Sequence, residues 1–319
     1  MIRPSAASPT SDPGLASSFD RPVERLMAKD GSFRVERVGQ LSGVSEGFVA
    51  LATMPTPRLL ATFVAGYLAM NLVFGSFYML VGVEHIGNAD LSSLGGRWLS
   101  AIGMSVQTLT TVGYGSLYPT SAATWALAAV EGVFGILGFS LIAAVMFARF
   151  ARPTTRLAYS SHALVAPFND GWSLQIRVAN RRRTLLVELE ARLVLALAQI
   201  GEDADAGRLQ YFNLPLQIDR VSFLPLSWTM VHPLTPQSAL AGFSADDLRA
   251  RRAELLLIIK GIDEGYMQPI ITRHSFRFDE IAWGARFVRA YDVEHGVVRL
   301  HLARISDYTP VPAPARLPA

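Results

Sequence analysis

Two apolar stretches dominate the pattern of this chain. Leu59 to Val83 runs 25 residues without a charge, and Ser121 to Ala148 runs 28 residues with a single one, Glu131. A helix rises about 1.5 Å per residue and needs about 20 apolar residues to cross hydrocarbon about 30 Å thick, so both stretches predict membrane-spanning helices. A secretory signal fits the first poorly, because it starts far into the chain and exceeds an h-region of about 7–15 residues. Between the spans, the first half of residues 97–119 is apolar and free of proline, which predicts a helix of about three turns, too short to cross. Ahead of the first span, residues 45–57 place Phe48, Val49, Leu51 and Ala52 on one helical side and stop at Pro55 and Pro57. This suits a short helix lying along the inner membrane face, or a plain juxtamembrane linker, since Gly47 and the small Ala and Thr residues weaken the apolar side.

The pattern changes after Pro153. Alternation through Leu174, Ile176 and Val178, the run Leu185 to Ile200, and Leu255 to Ile259, separated by Gly, Pro and Asp clusters, predict strands of a two-sheet sandwich. Leu185 to Ile200 fits either a strand or a helix by periodicity alone. Residues 1–22 are rich in Ser, Pro and Ala and read as disordered, and the last ten read as an extended Pro-rich tail. The expected organisation is an N-terminal segment over 1–43, partly disordered, an interfacial helix over 44–57, a membrane unit over 58–152, a β-rich domain over 153–309 and the tail over 310–319. Arg58, Arg149, Arg152 and Arg156 flank the spans on one side, whereas the connecting loop offers only Arg97 beside Glu84 and Asp90. The bias places both termini in the cytoplasm.

Composition narrows the function. The chain has 319 residues, 50% hydrophobic and only 17% charged, against roughly 25% charged in soluble domains. Its 29 Lys and Arg against 26 Asp and Glu leave a net charge of +3, too even a mixture to argue for nucleic acid as a partner. Without any cysteine, disulfides, Cys-ligated metals and thiol catalysis are excluded. Six histidines lie scattered and no HExxH, GxSxG or Walker pattern occurs, so no enzyme is indicated. His162 and His274 are candidates for pH sensing, or ordinary exposed or core histidines.

The chemistry sits in the loop between the spans, at Thr111-Val112-Gly113-Tyr114-Gly115. This pentapeptide is the one from which potassium channels build rings of backbone carbonyls. A dehydrated potassium ion needs oxygens to replace its water, and a strand whose successive carbonyls face one way supplies a ladder of them. Gly113 and Gly115 can take the positive φ that such a strand needs at alternate positions and that a Cβ penalises. Thr111 can add its hydroxyl at the inner end. A dinucleotide-binding reading of Gly113-x-Gly115 fails, because Tyr118 stands at the third glycine position. Irregular backbone at membrane depth must be buried in protein or line water, and two spans cannot surround it, so several copies must assemble.

Residues 97–153, with the exit sequence Phe147-Ala148-Arg149-Phe150-Ala151-Arg152-Pro153, resemble a prokaryotic inward-rectifier-type potassium channel. The resemblance continues through Arg177-Val178-Ala179-Asn180, Leu226-Ser227-Trp228-Thr229-Met230-Val231-His232-Pro233 and Asp279-Glu280-Ile281-Ala282-Trp283-Gly284, and covers roughly residues 26–308. It implies a helical two-span pore unit (outer helix, pore helix and filter, inner helix) joined to an all-β immunoglobulin-like cytoplasmic sandwich, in a homotetramer of the bacterial inner membrane. Potassium, the permeant ion, would bind at Thr111, Val112, Gly113 and Tyr114, and no resident cofactor is implied. Phe147 matches the residue that narrows the pore where inner helices converge. Arg149, Arg152 and Arg156 match a site for anionic lipid, or they only fix orientation.

Glu131, the one ionisable group inside a span, is expected to brace the pore helix. Gln107 and Leu117 stand about where strong rectifiers place a Glu–Arg pair beside the filter. The stretch Phe139 to Val145 lacks the acid with which those relatives favour Mg2+ or polyamine block. Weak block is expected instead, through Glu188 and Glu264, which match acids lining the cytoplasmic vestibule or are plain solvated strand residues. Gly132, Gly135 and Gly138 are candidates for close helix approach or a hinge. Two rivals stay open: a two-span potassium channel gated by a small ligand on its C-terminal domain, and a membrane-tethered sensor that does not conduct.

Overall fold

The structure, a computed structural model, describes residues 9–10, 13–16, 19, 25–33, 35, 38, 44–150, 157–199 and 208–318. The chain divides into two compact units, Val38–Arg152, and Met1–Arg37 together with Pro153–Ala319.

The first unit holds α1 (Val44–Thr53), α2 (Thr56–Val81), the short strand β1 (Ile86–Gly87), α3 (Leu94–Leu109), its partner strand β2 (Tyr118–Pro119) and α4 (Ala122–Phe150). The 26 residues of α2 and 29 of α4 are both long and apolar enough to cross a membrane. Pro55 and Pro57 separate α1 from α2, because a ring without an N–H is tolerated only in the first turn of a helix. At 16 residues α3 is longer than the three turns expected, since the Ser93 hydroxyl caps it by accepting from the Gly96 N–H at 2.9 Å. Phe74 and Tyr78 of α2 bury with Ala101 and Met104 of α3, and with Val83 and Ile86 of the connecting loop.

The second unit is a sandwich of two five-stranded sheets. Its strands are β3 (Leu157–Tyr159), β4 (Ala163–Phe168), β5 (Gly171–Asn180), β6 (Leu186–Ala198), β7 (Leu209–Leu214), β8 (Arg220–Phe223) and β9 (Ser227–Pro233), then, after α5 (Ala245–Ala250), β10 (Glu254–Asp263), β11 (Gln268–Arg277) and β12 (Ile281–Trp283). One sheet runs β11-β10-β6-β7 with β8 also on β6, and the other runs β12-β4-β5-β3 with β9 also on β5. Strands β13 (Ala285–Phe287) and β16 (Tyr308–Pro310) pair, as do β14 (Tyr291–Glu294) and β15 (Val297–Leu300). Leu174, Ile176 and Val178 from one sheet and Leu193, Leu195, Leu255 and Leu257 from the other fill the core. Each such side chain contributes about 1.5–3 kcal/mol on burial.

Three parts of the expected organisation become specific. Leu186–Ala198 is one strand, the strand reading of this run and not the helical one: Ala191, Leu193, Leu195 and Leu197 alternate inward, and the spacing slips ahead of them at Glu188, whose φ of +49° marks a bulge against β10. The N-terminal segment, expected to stand apart and partly disordered, belongs in its described residues to the sandwich unit. The buried Glu254 carboxylate accepts from the Leu26 N–H at 2.8 Å and the Met27 N–H at 3.2 Å, while Arg25 reaches Glu280 at 3.1 Å. Thr10 donates its N–H to the Tyr211 carbonyl at 2.8 Å, and Met27 packs on Tyr211 and Leu256. The Pro-rich tail lies against the sandwich: Val311 donates to the Gly284 carbonyl at 2.8 Å, and Leu317 is buried and donates to the Phe243 carbonyl at 2.9 Å.

Candidate ion-conduction site

The filter segment starts where α3 ends. The backbone carbonyl of Gln107 accepts from the Val112 N–H at 3.1 Å and the Gly113 N–H at 3.2 Å, and Thr111 donates to the Thr108 carbonyl at 3.0 Å. On the far side, the Gln107 side chain donates from Nε2 to the Leu117 carbonyl at 2.5 Å, and Asn88 donates to the Ser116 carbonyl at 3.0 Å. One residue of the pore helix thus holds both limbs of the loop, with no ion pair involved.

Within the loop φ is +58° at Thr111, +55° at Gly113 and +77° at Gly115. Left-handed conformations recur at alternate residues, the pattern with which a strand can present successive carbonyls to one side. The two glycines adopt them without penalty, whereas β-branched Thr111 carries strain that its sequence gave no sign of. Val112 and Tyr114 are 52% and 80% exposed, so the apolar side chains of the strand find no cover within one chain.

Glu131 of α4 is fully buried. It accepts from the Tyr78 hydroxyl of α2 at 2.9 Å and from the Ser105 hydroxyl of α3, and Ser105 also reaches Asn71 Oδ1 at 3.2 Å. The carboxyl therefore joins three helices. Tyr78, Ser105 and Asn71 were not singled out from the sequence, because no local spacing links positions 26 to 60 residues apart. Among the three candidate glycines, Gly135 is the one pressed on the pore helix: a Cβ there would lie 2.3 Å from the Leu109 carbonyl oxygen, while Gly132 and Gly138 have nothing within 4 Å.

Phe147 near the end of α4 is 75% exposed. Arg149 donates from Nη1 to the Met54 carbonyl at 2.5 Å and from Nη2 to the Thr56 hydroxyl at 2.9 Å. Arg152 and Arg156 lie outside the described residues. In the sandwich, Glu188 and Glu264 are both exposed and stand at one end of the β6–β10 ladder, where Glu264 donates its N–H to the Leu185 carbonyl at 3.0 Å. His274 is buried and stacks on Tyr159 with ring centres 4.3 Å apart, and burial pushes its pKa down to about 4. Burial likewise pushes the Tyr159 hydroxyl up to about 12 and raises Glu254 above the usual carboxylate range. His162 is half-exposed beside the Ser161 hydroxyl.

A short helix and a strand of alternating handedness, set between two membrane-length helices, define the pore unit of an ion channel. Comparison with known proteins makes the class specific. Residues 157–316 match the inward rectifier potassium channel C-terminal domain, and residues 65–152 match the ion channel family. The chain is 31% identical over 269 residues to the inward rectifier potassium channel Kirbac3.1 of Paramagnetospirillum magnetotacticum, covering 84% of this chain and 89% of that one. It is 27% identical over 288 residues to the ATP-sensitive inward rectifier potassium channel 12 of Gallus gallus, covering 82% of this chain and 66% of that one. The human channel of that name is 28% identical over 249 residues, covering 72% of this chain and 57% of that one. The chain belongs to the inward rectifier potassium channel family. It is a membrane potassium channel with a two-span pore unit and an immunoglobulin-like β-sandwich.

Proposed function

We propose that four copies of this chain form a potassium-selective, passive pore in the bacterial inner membrane, with both termini cytoplasmic. The observation that carries this reading is the segment Thr111–Gly115, whose φ is positive at alternate residues while Val112 and Tyr114 stay uncovered in one chain. Irregular backbone at membrane depth needs protein around it, and neighbouring copies supply that protein. Potassium occupies sites at Thr111, Val112, Gly113 and Tyr114, exchanging water for carbonyl oxygens. Gln107 and Glu131 brace the filter from α3 and α4.

The gate is a ring of Phe147 side chains that closes by dewetting where the inner helices converge. Arg149, Arg152 and Arg156 at the same end attract anionic headgroups, at about 1 kcal/mol each. The C-terminal sandwich extends the pore, with Glu188 and Glu264 in its vestibule, and Mg2+ or polyamines block only weakly.

The experiment is potassium flux from liposomes loaded with purified protein, beside the Gly113→Asp variant. Flux in the wild type and its loss in the variant is the expected result. Equal flux from both would overturn conduction through this strand.

A further inference from the structure

The loop between α2 and α3 runs antiparallel to the limb that leaves the filter, and the two are matched residue by residue. The Thr120 N–H donates to the His85 carbonyl at 2.9 Å, Ile86 and Gly87 of β1 pair with Pro119 and Tyr118 of β2, and the Asn88 side chain donates to the Ser116 carbonyl at 3.0 Å. Gly87 fixes the register, because a Cβ there would lie 2.3 Å from Cζ of the Tyr118 ring. Asn88 then leaves the extended conformation, with φ at +62°. Its backbone turns off the ladder, and its side-chain amide takes the place of the next main-chain donor. Asparagine suits the position, since it tolerates left-handed backbone and its amide carries two N–H donors. Gln107 repeats the arrangement one residue on, donating from Nε2 to the Leu117 carbonyl at 2.5 Å. Two successive peptide planes are thereby held by side-chain amides, one from the loop and one from the pore helix. The carbonyls of Thr111 through Gly115, by contrast, accept from no donor among the described residues.

We propose that Asn88 is a positioning residue of the filter: together with Gln107 it ends the row of ion-facing carbonyls at Gly115 by holding the Ser116 peptide to the loop between α2 and α3. This rests on the reading of Thr111–Gly115 as the conducting strand. A carbonyl committed to an amide is withdrawn from the ion, whereas a Ser116 peptide without its donor is free to rotate and loosens the end of the row beside it.

Two variants of the full-length protein isolate the amide. Asn88→Gly removes it and keeps the backbone, since glycine takes a positive φ freely. Asn88→Asp keeps the shape and sets a carboxylate oxygen where the donor stood. Three quantities are read: amide hydrogen exchange over residues 112–118, the potassium concentration that half-saturates the current in planar bilayers when varied on the side facing this loop, and the temperature at which the assembly dissociates. Asn88→Gly should speed exchange over 112–118 by about two- to tenfold, the range for one neutral hydrogen bond, and raise the half-saturating potassium concentration by a similar factor. Its dissociation temperature should stay at the wild-type value. Asn88→Asp should move exchange and half-saturation at least as far, because its oxygen repels the Ser116 carbonyl. Wild-type exchange or wild-type half-saturation in Asn88→Gly would show that water serves the carbonyl equally well and overturn the role. A lowered dissociation temperature with unmoved half-saturation would make Asn88 a plain structural staple, which overturns it too, as does wild-type behaviour in Asn88→Asp. Wild-type flux equal to that of Gly113→Asp counts against the conduction reading instead, and exchange over 112–118 still decides whether Asn88 holds the Ser116 peptide.

Discussion

Replacing Glu131 with alanine tests the buried network behind the filter. The wild-type carboxyl accepts hydrogen bonds from two hydroxyls, Tyr78 and Ser105, and all three residues are 0% exposed. A buried donor left without an acceptor costs about 1–3 kcal/mol, so the two together cost about 2–6 kcal/mol in each subunit. Ser105 recovers part of this by turning to Asn71 Oδ1 at 3.2 Å, whereas the Tyr78 hydroxyl loses the acceptor it reaches at 2.9 Å. The expected loss therefore lies in the middle of that range. Tyr78→Phe and Ser105→Ala, each removing one donor together with its need for an acceptor, should cost less than Glu131→Ala. The assays are the temperature at which the purified assembly dissociates and the potassium-to-sodium permeability ratio in planar bilayers. Glu131→Ala should lower both, and a Tyr78→Phe/Glu131→Gln cycle should show a coupling above about 0.5 kcal/mol. Wild-type stability and selectivity in Glu131→Ala would refute the bracing role.

Gly135→Ala should weaken the pore unit by about 1–3 kcal/mol, because its Cβ meets the backbone carbonyl of Leu109 at 2.3 Å and backbone cannot turn aside as a side chain can; a melting temperature unchanged from wild type would contradict this. His274 gives a pH dependence with a definite sign. Its folded pKa of about 4 lies below the model-peptide value of 6.5, so its stabilising share is complete above pH 6.5 and is lost as pH falls toward 4. The loss amounts to about 3 kcal/mol. His274→Gln should flatten the fall in melting temperature over that window, and an unchanged slope would count against it. Glu254→Ala should release the N-terminal segment by leaving the Leu26 and Met27 amides without their acceptor, read as faster tryptic cleavage after Arg25 and Lys29; cleavage at the wild-type rate would show that the segment is held by other contacts.

The spans were legible because length and the absence of charge are properties of the sequence alone, and the filter because glycine announces its own backbone freedom. Thr111 shares the left-handed conformation of its glycine neighbours without announcing it, since only the surrounding loop imposes it. The long strand β6 fitted a helix equally well by periodicity because the bulge at Glu188 puts Leu186 and Leu189 three apart, a helical spacing, inside an alternating run. Glu131 stood out as a lone acid in a span, yet its partners Tyr78 and Ser105 are ordinary residues until the helices pack. The docked N-terminal segment and tail carry too few apolar residues to show a period. They are held by single anchors, Met27 and Leu317, and by hydrogen bonds to groups more than two hundred and about seventy residues away along the chain.

The central claim is that backbone oxygens of Thr111–Gly115 select potassium. A single-channel recording in a planar bilayer, with potassium on one side and sodium on the other at equal concentration, measures this directly. The account predicts a reversal potential strongly displaced toward that of potassium. A reversal potential at zero, with current present, would contradict it.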